Sequence, residues 1–309
     1  MMAAGKQMNQ TVFRDRTILA RNGSRRRNRT VTGFSCPSCT SRPCIKDYVL
    51  LDPCCGSGHI LTYFFDVLMN IYQEYGYTTR EAAISIIENN IWGLDIDARA
   101  SQLAYFSLMM KARAYDRRFF NRHIQPHVYE ILESNNLDRS LLEEIYEQNE
   151  DIEPAIRETL DRLYDAKEYG SILRTKSQDW DAIYKKLSEP DSIYGEFAKK
   201  ELIPVLKVGQ ASSQQYDVVV TNPPYMSSSG MDKKFSCYVK NNFPNSKADM
   251  FAVFIEVCVN LTKKDGLYGM ITQQSWMFLA RFEKLRINIL HNLNFPLANV
   301  GLYLENSIV

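Results

Sequence analysis

From Tyr48 to Arg113 the chain alternates short apolar runs with longer segments of helical period. Leu50-Leu51 runs into Asp52-Pro53-Cys54-Cys55-Gly56-Ser57-Gly58, and a helix is expected from about Ile60 to Tyr75. Ile91-Trp92-Gly93-Leu94-Asp95 reads as a second strand that again ends in an acid, with a further helix behind it. Strand, glycine loop, helix, strand and helix in that order specify a parallel sheet with helices on its faces. Phe64, Phe65, Leu68, Tyr105, Phe106, Leu108 and Met109 are the expected sheet-facing core of the two helices.

The alternation breaks over about 114–215, a charged stretch expected to be a helical insertion with acidic, sparsely apolar faces turned to solvent or a partner. Within it Ser140-Leu141-Leu142-Glu143 has the form of a capping box, and Glu153 to Tyr164 continues a helical pattern. Tyr216-Asp217-Val218-Val219-Val220-Thr221 restores the strand pattern and runs directly into Asn222-Pro223-Pro224-Tyr225. A mobile-looking Ser227-Ser228-Ser229-Gly230 follows, then a helix around Ala248–Lys264 and a strand Leu267–Thr272 introduced by Asp265-Gly266. A helix from about Phe282 to Leu293 and a last strand at Leu297–Leu304 complete the expectation of one α/β domain over 46–309. Gln273, Gln274 and Trp276 fall just past a strand's carboxyl end, where ligands collect in open α/β sheets.

Two of these junctions carry chemistry. Gly56 and Gly58 let backbone approach a ligand without a Cβ in the way, and the helix behind them presents free N–H groups, as in nucleotide cradles. Asp95, at the next strand end, suits two ribose hydroxyls, although its spacing from Gly58 exceeds the usual gap of about 20 residues. At the third junction the Asn222 amide oxygen and the Pro223 carbonyl can each accept a hydrogen from an exocyclic amine. Pro223 and Pro224 restrict the backbone there, and Tyr225 offers a face for stacking. A plain strand followed by a Pro-Pro turn accounts for the same four residues.

Taken together, the glycine loop, the acidic strand end and the Asn-Pro-Pro-Tyr turn resemble the S-adenosylmethionine-dependent amino-methyltransferases, specifically the DNA adenine-N6 class. Longer stretches carry the resemblance to the PglX family of adenine-specific methyltransferases of BREX phage-defence systems. These are Leu51-Asp52-Pro53-Cys54-Cys55-Gly56-Ser57-Gly58-His59-Ile60-Leu61, Gly93-Leu94-Asp95-Ile96-Asp97, Met109 to Arg113, Asp165 to Leu173 and Thr221 to Met226, within a similarity spanning Lys46 to Val309. The resemblance implies a Rossmann-like methyltransferase sheet that is incomplete at its C-terminal hairpin. It implies S-adenosyl-L-methionine as cofactor, held by Asp52, Pro53, Gly56, Ser57, Gly58 and Asp95, with a carboxylate near Asp165 or Glu168 for the cofactor's adenine. The catalytic turn would be Asn222, Pro223, Pro224 and Tyr225. The implied partners are double-stranded DNA with a flipped adenine and other defence-system proteins. N-methylation of a protein glutamine, which also uses an Asn-Pro-Pro-Tyr turn, and an inactive or interaction-only remnant are the alternatives.

Composition changes this picture little. A chain of 309 residues with 45% hydrophobic and 24% charged content is that of a globular protein of one or two domains. The absence of an apolar run of about 18 residues leads to the expectation of a cytoplasmic protein with no membrane contact. Charge is informative in its distribution: residues 1–45 hold nine Lys or Arg against one acid, Asp15, while the remainder is net acidic. The first 45 residues are therefore expected to be a disordered basic tail, either a nonspecific nucleic-acid contact or a start foreign to the domain. The acidic remainder lends DNA binding no support unless basic groups are concentrated locally. Seven cysteines, two of them adjacent in the glycine loop, do not form a disulfide framework. Cys36, Cys39 and Cys44 make an incomplete zinc site, so no metal is expected.

Overall fold

The computed structural model describes residues 44–188 and 193–292. Residues 1–43 of the expected tail, with Cys36 and Cys39, and the expected strand at Leu297–Leu304 lie outside these residues; the tail's last residue, Ile45, is by contrast buried at the start of the 3-10 turn Ile45–Asp47, because it packs into the core beside Leu50.

Five parallel strands form one sheet: β1 (Leu50–Asp52), β2 (Ile91–Asp95), β3 (His127–Glu130), β4 (Tyr216–Thr221) and β5 (Thr262–Met270), in the order β3-β2-β1-β4-β5. Strand residues alternate between faces, and the two cores follow that period. Leu50, Ile91, Val218 and Val220 face one helical layer, built from His59–Glu74, Thr79–Ser85 and Ala98–Tyr115. Leu51, Trp92, Leu94 and Val219 face the other, with Met250–Leu261 and the helices of 139–213. Burial on both faces is why β4 is a continuous valine run rather than an alternating one.

The segment 114–215 departs from its expected character in two ways. It contains β3, the edge strand, whose four residues are too few and too polar to show a period. Its helices do not stand apart from the sheet, because Ile145, Ile156, Leu160, Trp180, Leu202 and Leu206 are buried in the core that includes Trp92 and Val219. A thin apolar stripe suffices to dock a helix when its other faces stay wet. Asp138, rather than Ser140, caps the Arg139–Gln148 helix, accepting from the N–H groups of Ser140 and Leu141.

Phe106 is a second correction. On the Ala98–Tyr115 helix the buried stripe is Ser101, Ala104, Leu108 and Ala112, at helical spacing, which turns Phe106 outward at 58% exposure. β5 starts earlier than expected, at Thr262 opposite Tyr216; a register shift follows, and Leu267 to Met270 then pair with Val218 to Thr221, where the strand ends. The Ser227 segment is anchored rather than free at its start: Ser227 bridges Asp249, and Ser228 donates its N–H to the Ala248 carbonyl at 3.0 Å. Among the described residues no helix is long and apolar enough to cross a membrane.

Candidate active site at the strand switch point

The chain leaves β1 toward β2 on one side and returns to β4 on the other, so the strand order reverses between β1 and β4. Open α/β sheets bind ligands at the carboxyl edge of such a switch. The register, with Leu50 opposite Val218 and Leu51 opposite Val219, sets the loop after Asp52 beside the turn that starts at Asn222.

The loop after β1 is folded onto β2 by backbone bonds. The Cys55 N–H donates to the Leu94 carbonyl at 2.9 Å, and the Gly56 N–H donates to Asp95 Oδ2 at 2.7 Å. Asp95 Oδ1 accepts from the Asp97 N–H at 2.9 Å. The half-buried Asp95 carboxylate thus fixes the loop and keeps lone pairs for a further donor. Gly58 has φ of +84°, and a Cβ there would lie 2.8 Å from the Ala104 Cα; Gly56 also has positive φ but borders open space. The helix beginning at His59 follows directly, with its first N–H groups at the loop.

Across the switch, Pro223 is buried while Asn222, Pro224 and Tyr225 are exposed. The Tyr225 hydroxyl lies 3.0 Å from the Ile271 carbonyl and 3.3 Å from Asn222 Oδ1, so it braces the amide against the end of β5. Phe251 supports the Tyr225 ring, with centroids 6.3 Å apart. Met226 and Met250 tie the turn to the start of the Met250–Leu261 helix through a 2.9 Å backbone bond. Gln273, Gln274 and Trp276 lie past the end of β5 as expected, the latter two in a 3-10 turn.

Residues 89–296 match the family of the Eco57I restriction-modification methylase. The chain belongs to this methylase family. It is 41% identical over 255 residues to the adenine-specific methyltransferase PglX of Lacticaseibacillus casei (strain Zhang), covering 80% of this chain and 21% of that protein. It is 36% identical over 281 residues to the adenine-specific methyltransferase BrxX of Escherichia coli O9:H4 (strain HS), covering 82% and 23%. The chain thus spans about a fifth of the length of these curated relatives. Among solved structures, the Type ISP restriction-modification enzyme LlaGI in complex with a DNA substrate mimic aligns with a TM-score of 0.47 at 12% identity, over 81% of this chain and 17% of that one.

In this methylase chain Asp52 is the most perturbed carboxylate of the site. It is buried at the end of β1, with Oδ1 accepting from the Cys54 N–H at 3.1 Å. Oδ2 is buried without a hydrogen-bond partner among the described residues, as is the Thr221 hydroxyl on the adjacent strand. Burial pushes the Asp52 carboxyl up to about 7; the nearby Thr221 hydroxyl and the Cys54 N–H oppose the rise, and the Asp95 carboxylate adds to it. Between pH 4 and 7 the folded state therefore holds a proton that the unfolded chain has released, so stability falls as pH rises through that window. About three pKa units correspond to about 4 kcal/mol. Asp52→Asn is expected to flatten the profile, measured as the difference in urea midpoint between pH 5 and pH 8 for the two proteins. A variant with the wild-type slope would discharge Asp52 from that role.

Asp165 and Glu168 lie just before the turn that reaches the loop, and both are paired. Asp165 sits at positive φ, and its carboxylate accepts from the Lys234 ammonium and the Asn135 amide, which hold its pKa below the ordinary value. Lys234 also pairs with Glu168. It is the following turn that reaches the loop: Ser171 Oγ lies 3.7 Å from Cys54 Sγ, and Gly170 borders Ile96. No local pattern in the sequence announces Lys234, Ser171 or Thr221 as parts of this arrangement. Burial raises both loop thiols, first among the causes, so Cys54 and Cys55 stay protonated packing groups and not nucleophiles. His59 is exposed at the first turn of its helix. Among the described residues no group of acids, histidines and cysteines could hold a metal ion.

Proposed function

We propose that this chain carries the catalytic domain of an S-adenosylmethionine-dependent DNA adenine-N6 methyltransferase of the phage-defence or restriction-modification type. The observation that carries the reading is the braced Asn222-Pro223-Pro224-Tyr225 turn lying beside the glycine loop across the β1–β4 switch. Family membership and the names of its relatives support it.

The loop residues fit the cofactor chemically. Open space at Gly56, the glycine conformation of Gly58 and the free lone pairs of Asp95 make a cradle with donors and acceptors on one side. Asp95 would hold the ribose hydroxyls, the backbone of Gly56, Ser57 and Gly58 the amino-acid moiety, and Asp52 and Pro53 would shape the loop. When bound, S-adenosylmethionine supplies a methyl group on a positively charged sulfur.

Adenine N6 is a weak nucleophile because its lone pair is delocalised into the ring. The Asn222 side-chain oxygen and the Pro223 carbonyl would each accept one N6 hydrogen, drawing the amine toward tetrahedral geometry and aiming its lone pair. No base is needed before transfer, since the proton is lost from a cationic product amine. An adenine inside a duplex cannot reach this turn, so it must be flipped out, with Tyr225 as one aromatic wall.

The direct test incubates the protein with tritiated S-adenosylmethionine and either unmethylated DNA or cell protein. Label on adenine supports the reading, and label on glutamine replaces it with the alternative. Asp95→Ala is expected to weaken cofactor binding by about 1.5–3 kcal/mol, the range for hydrogen bonds involving a charged group. Calorimetric titration measures this, and unaltered affinity would remove Asp95 from the site.

A further inference from the structure

Past β5, at the same end of the sheet as Asn222, stands a side chain that amine activation does not use. Phe278 is the most exposed large hydrophobic side chain among the described residues, at 73%, and Ile271 and Leu279 near it are exposed as well. A single exposed Phe is ordinary. This one is presented on a braced loop. Arg286 Nη1 donates to the Trp276 carbonyl at 2.7 Å and to the Leu279 carbonyl at 2.8 Å, one on each side of Phe278. The N–H groups of Phe278 and Leu279 both donate to the Ser275 carbonyl, and Trp276 Nε1 donates to Thr272 Oγ1 at 3.2 Å.

The loop is also joined to the catalytic turn by packing. The Tyr225 ring meets Phe251, and Phe251 meets the buried Phe282 at 5.9 Å, just behind the loop. The Tyr225 hydroxyl bonds the carbonyl of Ile271, where the loop begins. Arg281 and Lys284 are exposed three and six residues beyond Phe278. A braced aromatic tip with cations beside it is therefore packed onto the same support as the amine clamp.

We infer that Phe278 is a base-stack wedge that enters the duplex where the target base leaves, while Arg281 and Lys284 contact the flanking phosphates. The inference rests on the DNA reading above and deepens it. Extruding a base exposes the faces of its two stacked neighbours, and an apolar ring inserted between them recovers part of the lost stacking. The Arg286 brace means that insertion orders no loop, so little of that gain is spent on entropy.

Fluorescence anisotropy on the 309-residue chain tests it, using two labelled duplexes of one sequence, the second with a single abasic site as a ready-made gap. Wild type is expected to prefer the abasic duplex by roughly tenfold or more, the scale of one base–aromatic stack. Phe278→Ala loses the preference without a change in melting temperature, and Phe278→Trp keeps it. Equal affinity of the wild type for both duplexes, or a preference that survives in Phe278→Ala, overturns the wedge and leaves the DNA reading standing. Failure of the wild type to bind either duplex overturns both.

Discussion

Asn222→Ala is expected to lower kcat for methyl transfer by about 10²–10³, the cost of removing one aligned hydrogen-bonding group from a transition state. Cofactor affinity should stay within error of wild type, because the amide belongs to the acceptor side of the switch. The fold should persist, since Asn222 is exposed and its side-chain contact is the 3.3 Å one with the Tyr225 hydroxyl. Asn222→Asp keeps an acceptor oxygen and should retain more activity than alanine. Single-turnover transfer of labelled methyl to DNA, alongside calorimetry with S-adenosylmethionine, separates the two effects. An alanine variant with wild-type kcat would end the amine-clamp mechanism.

Gly58→Ala should be the most destabilising single change in the glycine loop, by about 2–5 kcal/mol from left-handed backbone strain and overpacking together. Its φ of +84° suits glycine, and the added Cβ would lie 2.8 Å from the Ala104 Cα and 2.9 Å from its Cβ. Neither is the far end of a flexible side chain, so the Ala98–Tyr115 helix would have to shift. Gly56→Ala is the internal control: it also has positive φ, but its Cβ would meet nothing within 4 Å. The control should cost only about 1–2 kcal/mol of backbone strain. Urea denaturation of the two variants measures the difference, and equal midpoints would show that the helix yields without cost.

The glycine loop, β1, β2, β4 and the Asn-Pro-Pro-Tyr turn are legible in the sequence because each is a local event. A buried parallel strand requires a continuous apolar run, as in Val218-Val219-Val220, and a tight turn requires glycine or proline. The acids Asp52 and Asp95 stand at the ends of those runs, so their place at one edge follows from a parallel sheet alone.

Other features were set by packing between segments far apart in the chain. His127–Glu130 becomes a strand because its backbone pairs with β2, not because its side chains alternate. Phe106 is outward because the buried stripe of its helix is drawn by Ala104 and Leu108 against Gly58 and the sheet. Asp165 is paired with a lysine 69 positions later, a contact no local pattern announces. The pKa of Asp52 comes from burial between strands and from Asp95, neither of which a linear pattern contains. Sequence by itself determined the fold class, the glycine loop and the Asn-Pro-Pro-Tyr turn, since the stereochemistry of glycine, proline and apolar runs acts over a few residues. Tertiary structure alone decided which carboxylates remain available, which hydroxyl braces Asn222 and which aromatic ring is held out toward solvent, because burial and charge pairing depend on what the fold brings alongside.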